Sequence, residues 1–151
     1  MRNISIPRLY FGKWVAWHDR NSIDGADCPG VYLLTTSQRN LCGRKADVGD
    51  AVYIGMTNSR YGLKGRWNQC HHGIQGLGRH SGGHAMFVSL GHYESWDVDL
   101  YVAACPVRCD PREPTPKDYL LMGAVAYLEY KAFAEFLKKR PRLRKPRFNT
   151  R

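Results

Sequence analysis

From Lys138 to Arg151 the chain has no acidic residue, although eight of its basic residues lie there. The whole chain carries 23 Lys and Arg against 13 Asp and Glu, a net charge of +10, so the remainder is nearly balanced. Cations gathered at one end of a neutral body point to a polyanionic partner, most often nucleic acid; a purely solubilising end has the same composition. Long apolar runs are also missing. Nothing approaches the length of a membrane span, and the first residues lack the apolar stretch of a secretory signal. The expectation is a soluble cytoplasmic protein with no membrane partner. The five cysteines, an odd number, argue for reduced thiols. Neither a C-x-x-C pair nor a zinc-finger spacing occurs, so Cys70, Cys105 and Cys109 with His71, His72, His80 and His84 make only a weak zinc set.

At 151 residues, with 43% hydrophobic content, one domain with a full core is the simplest expectation. Residues 1–28 mix aromatic and polar side chains and read as an N-terminal extension packed on a domain spanning 29–151, whose basic segment is 138–151. Val31 to Thr36 and Ala51 to Met56 read as two strands of a long-looped hairpin, rich in β-branched and aromatic residues. Each carries a tyrosine close to a glycine: Gly30-Val31-Tyr32 and Tyr53-Ile54-Gly55. Leu63 to Cys70 reads as the start of a helix, and the glycine-rich Gly73 to His84 as a loop. Ala85 to Leu90 and Trp96 to Ala104 read as further strands, the second alternating as if half-buried.

Thr115-Pro116-Lys117-Asp118 is a strong helix start, with a capping hydroxyl, proline at the first helical position and an acid at the third. The helix is expected from Pro116 to about Lys139. Its apolar stripe runs through Met122, Val125 or Ala126, Phe133, and Phe136 or Leu137. Glu129 falls on that stripe. A carboxylate there faces the body of the protein, where it needs either a bound cation or a buried arginine.

Taken in order, these pieces resemble the GIY-YIG nucleases. Gly30-Val31-Tyr32 is similar to the first half of the family's name and Tyr53-Ile54-Gly55 matches the second. Leu63-Lys64-Gly65-Arg66-Trp67 is similar to the L-x-x-R-W stretch that opens the first helix. Glu129 resembles the family's metal-binding glutamate, and Pro146-Arg147-Phe148-Asn149 its closing P-x-x-N. The resemblance spans Gly30 to Asn149 and implies an α+β fold, a small antiparallel sheet with a three-stranded core flanked by helices.

It also implies a metal-dependent endonuclease that hydrolyses DNA phosphodiester bonds, small and standalone, of restriction-like or phage-like type. Glu129 would hold Mg²⁺ or Mn²⁺. Arg66 would neutralise the scissile phosphate through its planar fork. Tyr32 stands where the family places its general base or water-positioning group, Tyr53 would bond water or phosphate beside it, and Asn149 would buttress the site. Either tyrosine taken alone reads equally as a core aromatic. Four residues past Arg66, where many members carry an assisting histidine or tyrosine, stands Cys70; a shift of one residue would bring His71 into that role. Lys64, Arg144, Lys145 and Arg147 complete the expected DNA-binding set. Spacings of 21 residues from Tyr32 to Tyr53 and 13 from Tyr53 to Arg66 are nearer the restriction-type members. Cutting both strands suggests a homodimer or higher assembly. The alternative is a nucleic-acid-binding module on the same scaffold that no longer cuts.

Overall fold

A computed structural model describes residues 5–150. Its centre is a four-stranded antiparallel sheet in the order β1-β4-β2-β3, with β1 at Val15–Ala16, β2 at Gly30–Ser37, β3 at Tyr53–Thr57 and β4 at Asp99–Pro106. The expected α+β class and antiparallel sheet are present. The sheet has four strands rather than three, because the N-terminal extension adds β1 to the outer edge of β4.

Three longer helices flank it: α1 (Gly62–Ile74), α2 (Ser81–Leu90) and α3 (Pro116–Lys139). They lie on opposite faces. Val31, Leu33, Ile54, Tyr101, Ala103 and Cys105 turn to the face covered by Val125, Leu128, Ala132 and Phe136 of α3, together with Phe11 and Trp14. Their sequence neighbours Tyr32, Leu34, Tyr53, Leu100, Val102 and Ala104 turn to the other face, against Leu63, Trp67, Cys70 and Ile74 of α1 and Met86 of α2. The period-2 alternation of the strands thus feeds two cores, not one core and solvent. That corrects the half-buried reading of the Trp96–Ala104 run: β4 begins at Asp99 and buries both faces, while Trp96 donates its indole N–H to the Gly91 carbonyl in the preceding turn.

A second correction concerns Gly73 to His84 and Ala85 to Leu90. The first is not all loop, and the second is helix, not strand. Glycine here provides close contact rather than freedom. A Cβ on Gly83 would stand 2.3 Å from the Cys70 carbonyl oxygen, and one on Gly82 would stand 2.4 Å from the Tyr53 ring. Bare backbone lets α2 lie directly on α1 and on β3.

The helix start at Thr115 is as expected: Thr115 and Asp118 cap each other reciprocally, with Pro116 in the first turn. Beyond Arg140 the basic segment folds back on the body. Pro146, Phe148 and Asn149 are buried, Lys139 pairs with Asp47 at 2.9 Å and Arg140 with Asp50 at 3.2 Å. Arg151 lies outside the described residues. No described helix is long and apolar enough to cross a membrane.

Candidate active site

The site forms along β3, the free edge of the sheet. An edge strand exposes unpaired backbone groups, and here a side chain meets them. Asn149 Oδ1 accepts from Ile54 N and its Nδ2 donates to Ile54 O, both at 2.9 Å, while Phe148 N donates to Val52 O at 2.8 Å. The segment after α3 is therefore stitched along the edge and forms a wall of the cleft beside it.

That cleft, about 680 Å³, is lined by Tyr53 and Ile54 of β3, Arg66 of α1, Ser81 of α2, Glu129 and Phe133 of α3, and Arg144, Lys145 and Asn149 of the basic segment. The alternation of β3 sets its breadth: Tyr53 belongs to the α1 side and Ile54 to the α3 side, so the strand edge carries groups from both layers into one opening. Glu129 sits at the margin of the buried stripe of α3 and is half-buried. Burial raises its pKa and Arg66 opposes the rise. It joins no ion pair among the described residues. Arg66 likewise meets no carboxylate among them; its Nη1 donates to the neutral Gln69 Oε1 at 2.9 Å.

The tyrosines are paired, but not directly across the hairpin. In the register Tyr32 faces Gly55, and Tyr53 faces Leu34. The two phenols are diagonal neighbours with ring centroids 5.9 Å apart. Gly55 makes this possible, because a Cβ there would lie 2.5 Å from Cζ of Tyr32, whose ring crosses the glycine. The depth of the two rings differs in consequence. Tyr53 forms part of the cleft wall with 6% exposure, whereas Tyr32 is wholly buried behind it at 0%. Burial drives the Tyr32 phenol well above its ordinary pKa, and Tyr53 adds to the rise. Burial raises Tyr53 as well, against the pull of Arg66. Both are protonated at neutral pH, and neither is a ready base.

His71 is not brought to the cleft. It leaves α1 toward the N-terminal extension, where its Nδ1 accepts from Trp17 Nε1 at 3.0 Å and its ring stands edge-on to Tyr93. Cys70, four residues past Arg66, is buried, and desolvation pushes its thiol up to about 12. The histidine that reaches the tyrosines is His80, whose Nε2 lies 3.2 Å from the Tyr32 hydroxyl. The sequence held one signal for it: His80 immediately precedes a serine and two glycines that open a helix, but those glycines read as loop. Of the expected DNA-binding residues, Arg144 and Lys145 join Arg66 in the cleft. Lys64 is exposed on α1 away from it, and Arg147 stacks on Phe148 and donates to Ser89 Oγ at 2.8 Å beside a separate groove.

The described residues bring no three His, Cys, Asp or Glu side chains together as a metal group. Glu129 is a different kind of donor: one hard oxygen ligand, desolvated and unpaired, facing an open volume. That suits a cation such as Mg²⁺, which keeps most of its water and takes few protein ligands. No protein-family model, curated protein or solved structure matches this chain.

Proposed function

We propose that the protein is a metal-dependent endonuclease of GIY-YIG type acting on DNA. One observation carries the reading: Glu129 and Arg66, both without an oppositely charged partner among the described residues, line a single cleft with Tyr53. A carboxylate and a guanidinium in one pocket ordinarily neutralise each other. Left apart, they suit a ligand that has both a phosphate and an associated divalent cation.

Arg66 then binds two nonbridging oxygens of the scissile phosphate through its fork and offsets the negative charge that builds on them. Tyr53, a phenol held protonated by burial, donates a hydrogen bond to the phosphate or to the attacking water. Glu129 would hold Mg²⁺ or Mn²⁺, which supplies Lewis acidity and makes the water it carries more acidic. Arg144 and Lys145 add attraction for the backbone on the open side of the cleft.

A module that binds without cutting would use the same three cations but has no need of a carboxylate among them; Glu129 favours the enzyme. Supercoiled plasmid incubated with Mg²⁺ or Mn²⁺ tests this. The native chain is expected to nick and linearise it. Glu129→Ala and Arg66→Ala should each lose at least about a hundredfold in rate, within the range for removing one group that stabilises transition-state charge. A native chain that retards DNA in gels yet never cleaves it with either metal overturns the reading in favour of the binder.

A further inference from the structure

His80 is a buried titratable group to which no step above assigns a part, and both of its ring nitrogens are engaged. Nδ1 accepts from Gly83 N at 2.9 Å, capping α2. Nε2 faces the Tyr32 hydroxyl at 3.2 Å. Because Nδ1 accepts, the single proton of the neutral ring sits on Nε2 and is donated to the Tyr32 oxygen. Neutrality is secure: burial, reinforced by Arg66, lowers the imidazole to about 4.

We propose that His80 is a positioning residue that sets the direction of a hydrogen-bond chain running from the α2 cap through Tyr32 to Tyr53 and out to the cleft. With its oxygen occupied by His80, Tyr32 keeps its own O–H for the neighbouring Tyr53, whose ring centroid stands 5.9 Å from its own. Tyr53 then accepts from the interior and presents its proton outward, to a phosphate oxygen or water. The other groups facing Tyr32 leave this direction intact. Trp67 meets its ring edge-on, Cys70 is a protonated thiol, and Arg66 is a donor only. The Tyr32 hydroxyl lowers the Tyr53 phenol, as a donor does, while Glu129 acts on it weakly in the opposite sense. This chain explains why α2 is packed so closely over the tyrosines. Gly82 brings the helix start onto the Tyr53 ring, and the cap delivers the imidazole to Tyr32.

Two substitutions divide the roles of His80. Asn keeps a capping oxygen for Gly83 N but does not reach Tyr32; Gln reaches Tyr32 with an amide donor but gives up the cap. Two readouts are used, cleavage kinetics and NMR titration of Cζ-labelled tyrosine, which needs no activity. His80→Asn should melt near the native temperature, raise the pH at which Tyr53 ionises, and lower kcat about tenfold with KM within about twofold, less than the roughly hundredfold or more lost with a group that itself transfers the proton. His80→Gln should melt lower yet restore the Tyr53 titration and most of kcat. Combined with Tyr32→Phe, His80→Asn should add nothing further, since it acts through that hydroxyl. The inference is overturned if His80→Asn leaves the Tyr53 titration unmoved, or if its effect adds fully to that of Tyr32→Phe. It rests on the endonuclease reading only for its kinetic arm. A native chain that does not cleave refutes that reading and leaves the NMR arm to decide this one.

Discussion

At Gly55 a single methyl group decides whether the tyrosine pair can exist. The ring of Tyr32 occupies the space a side chain would take, and Trp67, Tyr53 and His80 surround it, so it cannot swing aside. Gly55→Ala should cost about 1–3 kcal/mol, the usual penalty for overpacking a filled core, read from the urea midpoint. Replacing Tyr32 by Leu in the same chain should recover part of that loss, because the two changes share one space. Glu129 makes the opposite kind of prediction. Its folded pKa is raised, so the native state favours the protonated acid: its stabilising contribution is present at low pH and is lost as pH rises through the shifted value. Without divalent cations, Glu129→Gln should therefore melt above the native chain at neutral to alkaline pH, with the gap closing in acid. Added Mg²⁺ should raise the melting temperature of the native chain but not of the variant. Calorimetry at two pH values, with and without Mg²⁺, measures both.

Among the elements, those whose start and stop are written locally were legible. The helix from Pro116 to Lys139 announces itself through Thr115, Pro116 and Asp118, and the central strands through their β-branched and aromatic runs. Helix α2 was not legible, since Ser81, Gly82 and Gly83 carry the composition of a loop. What makes them helical is contact with Cys70, Gly73 and Tyr53, residues brought near only by the tertiary fold. The strand Val15–Ala16 was hidden for a similar reason: two residues leave no period, and only pairing with Val102 and Tyr101 defines them. Among candidate-site residues, Tyr53, Arg66, Glu129 and Asn149 could be named only through the resemblance to the GIY-YIG motifs. His80 could not, because its role depends on where α2 lands. Gly83→Ala accordingly tests the element rather than the site. Its Cβ would meet a backbone carbonyl that cannot rotate away, and the expected loss is at the upper end of about 1–3 kcal/mol. Retention of native stability would show that α2 can lift off α1 freely.

For the molecule as a whole, the net charge of +10 is less evenly available than its size suggests. Lys139 and Arg140 are tied to Asp47 and Asp50 in the loop before β3, and Arg147 leans on Phe148 and Ser89. The cations turned to the cleft are Arg66, Arg144 and Lys145. DNA affinity should fall steeply with salt, and Arg144→Ala and Lys145→Ala should each flatten the slope of log affinity against log salt by about 1. The same change at Lys139 should leave the slope nearly unmoved and lower stability instead. Fluorescence anisotropy across a salt series separates the two outcomes. The two-layer origin of the cleft has a mechanical consequence. Arg66 rides on one slab of helices and Glu129 on the other, so the gap between these two jaws is gauged by the thickness of the sheet clamped between them. A substitution in the layer between sheet and α3, such as Leu33→Phe, which lines no part of the cleft, should push α3 and its Glu129 outward and widen the mouth.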